Sequence, residues 1–270
     1  MSEPFVELTS HANPRVRAVV RLRERREREA TGMTIVDGAR EIGRALDAGV
    51  QLVEAFASVE MATSADALDA IARINALDLG SRLAWVSRPL LEKVAFGDRS
   101  DGIVAVVATP SIGLGELVLP RSPFLAVIEG VEKPGNLGAV LRSADGAGID
   151  AVIAADPRTD LFNPNAIRAS LGTIFSMPVA SATSVEVLEW LRARGVRIVA
   201  ARVDGAEIHT ALDLRGPLAI VLGSEAGGLT GTWDAPDVTP VRLPMRGVAD
   251  SLNVSVAAAV LFYEALRQRS

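Results

Sequence analysis

Cysteine is absent from this chain of 270 residues, and only two histidines, His11 and His209, are present. Disulfides and thiolate metal sites are thereby excluded. Two histidines so far apart leave no material for an imidazole metal site or a Ser-His-Asp triad, so no metal site is expected. No uninterrupted apolar run approaches the roughly 20 residues that cross a bilayer, and no membrane partner is expected. The opening residues lack a basic segment followed by an apolar one, so no secretory leader is expected either. A cytoplasmic setting, reducing and compatible with a cysteine-free chain, is the expectation. Lysine is nearly missing too: of 28 basic residues, only Lys93 and Lys133 are lysine.

What is present describes a globular chain, with 49% hydrophobic and 23% charged residues. The net charge of -5 argues mildly against a nucleic-acid partner, but the distribution of charge matters more than its sum. Seven arginines fall between Arg15 and Arg28. Two readings stand: a solvated helix whose arginines pair with Glu24, Glu27 and Glu29, or a surface for a phosphate backbone, to which Arg15, Arg17 and the later Arg40 would belong.

Two α/β halves are expected. Residues 13–29 read as one charged helix with Pro14 in its first turn. Strands at 33–36, 52–57, 83–86 and 103–108 then alternate with helices at 40–48, 64–77 and 89–95, with Ser64 as N-cap. Turn-rich residues around 110–123 suggest domains at 1–110 and 123–270 joined by a linker at 111–122. In the second half, strands at 124–128, 151–155, 197–201, 218–222 and 241–243 alternate with helices at 137–147, 164–171, 185–194 and 252–268. Such alternation predicts a parallel sheet sandwiched between helices.

Three segments carry the chemistry. Gly223-Ser224-Glu225-Ala226-Gly227-Gly228 follows a buried-type strand, the place where open α/β sheets bind ligands. Its spacing is neither the dinucleotide fingerprint nor a P-loop, so NAD and ATP are disfavoured. Asn136-Leu137-Gly138-Ala139-Val140-Leu141-Arg142 opens a helix after another strand. Its arginine, set among apolar residues, needs either a phosphate, which the planar guanidinium suits, or a structural partner such as Asp145 at i+3. Ser251-Leu252-Asn253-Val254-Ser255 precedes a run of small residues, with Ser251 as the expected N-cap and Asn253 and Ser255 as helix-start or site residues.

Together these segments resemble the SpoU (TrmH-type) RNA 2′-O-ribose methyltransferases of the SPOUT superfamily. The matching pieces are residues 129–143, Arg168-Ala169-Ser170-Leu171-Gly172, Leu222 through Leu229, Leu243-Pro244-Met245 and residues 251–257. The first half is similar, more loosely, to that family's substrate-binding domain, which has the fold of kink-turn-binding ribosomal proteins; many relatives carry Glu where Asp37 stands. The resemblance implies an α/β fold: a parallel-sheet SPOUT domain with a deep trefoil knot, and a small N-terminal α/β RNA-binding domain. It implies S-adenosylmethionine held by Gly223, Leu243 and Leu252, with Leu222, Met245 and Ala201 completing the pocket. It implies a homodimer in which Arg142 approaches the partner's cofactor. Catalytic roles would fall to Arg142, Asn136, Asn253 and Glu225, and Arg142 and Arg168 would join the RNA-binding set. Ribosomal RNA is the preferred target and tRNA the other. A fold retained for RNA binding without catalysis, and methylation of a base nitrogen, are the rival readings. An intact Asn-x-Gly-Ala-x-x-Arg pattern speaks against both.

Overall fold

The computed structural model describes residues 7–77, 82–97, 101–224 and 227–270. They form two compact units: the described residues through Pro110 together with Phe162–Ser176, and Ser111–Leu161 together with Met177–Ser270.

The first unit is built on a mixed five-stranded sheet in the order β1 (Glu7–Leu8), β4 (Leu83–Val86), β3 (Leu52–Ala57), β5 (Ile103–Ala108), β2 (Met33–Asp37). β5 runs antiparallel to both β2 and β3, so this sheet is mixed. α5 (Arg88–Val94) follows β4 in sequence, and β5 lies between β2 and β3. The expected helix over 13–29 is two helices, α1 (Pro14–Arg21) and α2 (Arg25–Thr31). The break is stabilised by Arg28, whose buried guanidinium donates to the Leu22 and Arg23 carbonyls, both at 2.8 Å. An arginine counted in the basic cluster is thus a structural plug for carbonyls that the interruption leaves without helical partners. Ser64 caps α4 (Ala65–Ala76) as expected, accepting from the Ala67 amide.

Phe162–Ser176, which carries α7 (Pro164–Ala169) and α8 (Thr173–Ser176), packs on β2 and on α3 (Ala39–Asp47). Thr34 Oγ1 donates to the Phe162 carbonyl at 2.7 Å, and Arg44 donates to the Leu171 carbonyl at 2.5 Å. At the end of β2, the Asp37 carboxylate is buried. Its Oδ2 accepts from Arg168 at 2.9 Å and from the Phe96 and Gly97 amides at 2.9 and 3.0 Å. Burial nonetheless holds Asp37 above the usual carboxylate range, offset in part by the Gly97 amide and the Arg168 charge. Arg168→Ala would leave this charge buried without its cation, and breaking a buried pair costs about 3 kcal/mol or more. We therefore expect Arg168→Ala to lower unfolding free energy in urea at pH 7 by about that amount. With a folded-state pKa above the unfolded one, the penalty is full above the folded value and disappears below the unfolded one. The deficit relative to wild type should accordingly shrink as pH falls through the raised Asp37 pKa; an unchanged deficit would mean that the pair is not its source.

The second unit holds seven strands, all parallel, in the order β10 (Glu207–Ile208), β12 (Val238–Arg242), β9 (Arg197–Ala201), β11 (Leu218–Leu222), β6 (Phe124–Glu129), β7 (Ala151–Ala155), β8 (Val179–Ala182). β6, β7 and β11 are buried along their whole length, as expected of strands covered on both faces. α9 (Ser184–Ala193) begins with a capping box in which Thr183 and Glu186 satisfy each other's amides. α6 (Pro134–Gly146) packs against α10 (Val254–Arg269). α10 is capped by Asn253, which accepts from the Ser255 amide at 2.9 Å, and not by Ser251 as expected. Asn253 sits two residues nearer the helix, and its carboxamide oxygen reaches the free amides there.

Candidate functional site

The strands β9, β11 and β12 are neighbours, and each ends at a turn on the same edge of the sheet. Ala201 closes β9, Leu222 closes β11, and Leu243 follows β12. A cavity of about 730 Å³ lies there. It is the crevice at the carboxyl ends of parallel strands that this architecture offers to a ligand. Its wall contains all six residues expected to hold a cofactor: Ala201, Leu222, Gly223, Leu243, Met245 and Leu252. The lining combines apolar side chains with exposed backbone and a few polar groups, as small-molecule sites do.

The glycine loop is shaped by close backbone approach. A Cβ at Gly223 would overlap the Gly228 carbonyl carbon and the Leu229 amide nitrogen. Ser224 and Gly228 exchange backbone hydrogen bonds of 3.1 and 3.0 Å, and Gly228 turns with φ +63°. The far side of the loop is pinned by Glu129. This buried carboxylate accepts from the Thr230 amide and the Thr230 hydroxyl, both at 2.7 Å, and from Ser184 Oγ at 2.5 Å. Glu129 is not among the expected site residues; its only local signal is a carboxylate ending an otherwise apolar strand.

Asn136, in the first turn of α6, and Asn253, at the start of α10, meet: Asn253 Nδ2 donates to Asn136 Oδ1 at 3.4 Å. Asn253 lines the large cavity, and Asn136 lines a second one of about 180 Å³ that shares Lys133, Gly223, Ser224 and Val254 with the first. Two further polar residues on the cavity wall are also absent from the expected set, Arg202 and Asp204, directly after β9. Arg202 Nε donates to Asp204 at 3.0 Å, and its guanidinium also pairs with Asp234. The Arg202 hydrogen bond holds the Asp204 carboxyl below its ordinary range. Their signal is positional: polar residues immediately after a parallel strand.

Arg142 lines neither cavity. It is exposed on α6, and neither Asp145 nor any other described residue pairs with it. Glu225 lies outside the described residues. In the first unit, Arg15 pairs with Glu54, Arg21 with Glu27 at 3.5 Å and Arg25 with Glu29 at 2.6 Å. Arg17 and Arg40 are exposed. Arg168 is the partner of Asp37. Among the described residues, no group of three or more His, Asp or Glu could hold a metal ion, and no helix is long and apolar enough to cross a membrane.

Comparison with known proteins identifies the family of both halves. Residues 123–263 match the model of the SpoU rRNA Methylase family, and residues 13–105 match that of the MRM3-like substrate binding domain. Among curated proteins, the 23S rRNA (guanosine-2′-O-)-methyltransferase RlmB of Ralstonia nicotianae is 36% identical over 196 residues, covering 71% of this chain and 79% of that one. Among solved structures, an RNA 2′-O ribose methyltransferase superposes with a TM-score of 0.85 at 40% identity, over 97% of this chain and 99% of that one. The AdoMet-bound rRNA methyltransferase of Sinorhizobium meliloti superposes with a TM-score of 0.86 at 26% identity, over 97% and 98% of the two chains.

Proposed function

The chain belongs to the SpoU rRNA Methylase family, and we propose that it is an S-adenosylmethionine-dependent methyltransferase acting on a ribose 2′-hydroxyl of ribosomal RNA. The observation that carries this reading is one cavity, at the ends of β9, β11 and β12, that gathers the Gly223 loop, Leu243 and Leu252 beside the Asn136–Asn253 hydrogen bond. Bound there, S-adenosylmethionine supplies an electrophilic methyl group on a sulfonium centre. The residues around it fit such a ligand: Leu222, Leu229, Leu243 and Leu252 offer apolar surface for an adenine, while loop backbone and Asn253 offer hydrogen-bond partners.

The protein's contribution to an in-line transfer is alignment and charge stabilisation, neither of which needs a metal. Asn136 and Asn253 orient the ribose, and Glu225 joins them as a further candidate. Arg142 does not act as a literal base, because guanidinium groups offer donors and no acceptor. It holds a phosphate and stabilises the developing alkoxide. Since Arg142 stands away from its own cavity, we infer that it serves the cavity of a second copy. α10 supports this: Val256, Val260 and Tyr263 form an exposed apolar stripe at i, i+4 and i+7, beside α6 on which Arg142 sits. A homodimer through these helices would bury the stripe and bring Arg142 to the partner. The described α10 follows the β12 turn into the cavity wall, and we read the chain's path there as the deep trefoil knot of the resemblance. The domain scheme of 1–110, 111–122 and 123–270 is kept, with Phe162–Ser176 added to the first unit. RNA phosphate is assigned to Arg17 and Arg40 in that unit, with Arg15 at its edge, and the enzyme is placed in the cytoplasm.

Nucleotide-resolution mapping of ribose methylation, on ribosomal RNA and tRNA from cells with and without this protein, tests the assignment. One ribosomal 2′-O-methyl mark that disappears with the gene is the expected result. A lost base methylation, a lost tRNA mark or no lost mark would each overturn it.

A further inference from the structure

The second cavity contains one basic side chain among its described lining residues, Lys133, which also lines the cofactor cavity. It is one of only two lysines in the chain. Lys133 occupies the N-cap position of α6 and gives that helix no side-chain cap. The rest of the small cavity consists of Asn136, Glu132, Ser224 and Gly223 with the apolar walls of Ile128, Val131 and Val254. Glu132 pairs with Arg158.

Three considerations say what a cation is doing here. The reacting centre of the cofactor is a sulfonium, so a lysine beside it repels and does not bind that centre. A 2′-hydroxyl delivered to that centre must come from a ribose that sits against both cavities, and the adjoining 3′ carbon of the same ribose carries a phosphodiester. That anion therefore arrives within a few bonds of the transferred methyl whatever the sequence of the RNA. Lastly, α6 is 13 residues long and begins at Pro134, so its amino-terminal end adds positive potential on the same side as the ammonium.

We propose that Lys133 is a substrate-positioning residue. Resting on the ribose methyltransferase reading above, it places Lys133 against the phosphodiester that flanks the target ribose, across the wall that the small cavity shares with the cofactor site. Phosphate contact by a compact, flexible ammonium fixes register without reading a base. The division of labour is then definite. Lys133 acts within its own subunit on the ground-state position of the RNA, whereas Arg142 acts from the partner on charge that develops during transfer.

The test uses the full-length protein, S-adenosylmethionine and transcribed 23S rRNA, with Lys133→Gln and Lys133→Arg variants. Each neutralised phosphate contributes about 0.7 to the slope of log affinity against log salt for a single strand. Lys133→Gln should reduce that slope by about this amount, raise the KM for RNA more than it lowers kcat, and leave calorimetric cofactor affinity within about twofold. Lys133→Arg should restore the slope. A wild-type slope in Lys133→Gln would overturn the proposal. So would a tenfold or greater loss of cofactor affinity, which would assign the lysine to the cofactor's carboxylate. Failure of the wild-type protein to methylate 23S rRNA would instead count against the underlying reading.

Discussion

Arg142→Ala is expected to fold, to bind S-adenosylmethionine with near-wild-type affinity, and to lose about 100- to 1,000-fold in single-turnover methyl transfer. Cofactor affinity should survive because Arg142 acts on the RNA and its developing charge, not on the cofactor. Turnover should fall because an interaction formed with developing charge shows in the chemical rate and not in ground-state binding. Arg142→Lys should recover only part of the loss, since an ammonium cannot reproduce the planar fork. The placement of Arg142 adds a sharper test. An Arg142→Ala subunit retains an intact cavity, and a subunit defective in the glycine loop retains an intact Arg142. Mixed dimers of the two should regain activity that neither parent shows. If the mixture stays inactive while heterodimers form, Arg142 does not act across a dimer. Near-wild-type turnover in Arg142→Ala alone would remove the residue from the mechanism.

Much of the second unit was legible because its inner strands are short apolar runs, two of them, β6 and β11, bounded by proline and glycine, and because β6, β7 and β8 are separated by helices. Only the glycine loop after β11 was suggested by its place at a strand end; Ala201, Leu222 and Leu243 came from the family resemblance, and they line the same cavity. What escaped were features set by packing and not by pattern. The break between α1 and α2 has no glycine or proline to announce it; the buried Arg28 that satisfies its carbonyls looks, in sequence, like one more arginine of a basic cluster. The mixed sheet of the first unit cannot be read from periodicity, because a strand's direction depends on the path of the loop before it. Attachment of Phe162–Ser176 to the first unit is likewise invisible locally. It depends on Arg168 meeting Asp37 and Arg44 meeting the Leu171 carbonyl, partners more than 120 residues away. β8 and β10 were missed because they are only four and two residues long, too short for a period to show.

The glycine loop supports the second large effect. Gly223→Val is expected to weaken S-adenosylmethionine binding by at least about 100-fold, roughly 2.7 kcal/mol, with circular dichroism and the thermal midpoint close to wild type. The argument is geometric. Any side chain at position 223 meets the backbone of Gly228 and Leu229, which cannot yield as a flexible side chain can. The loop must move, and its ends limit where. On one side, β11 is locked between β9 and β6 along its length. On the other, Thr230 is tied through both its amide and its hydroxyl to the buried Glu129 carboxylate. Displacement therefore falls on the loop between these anchors, where Ser224, Gly227, Gly228 and Leu229 are cavity wall. Most of the sheet core, including Leu125, Val127, Ile153 and Val221, lies in the strands, and only the partly buried Leu229 links it to the loop. Gly223→Ala should act in the same direction, since the overlap begins at Cβ. Releasing the far anchor gives an independent check: with Thr230→Val, the loop loses its hydroxyl tie to Glu129 and gains room to shift, so the penalty of Gly223→Val should be smaller in the double variant than in the single one. Unchanged cofactor affinity by calorimetry in a folded Gly223→Val protein would place the cofactor somewhere other than this loop.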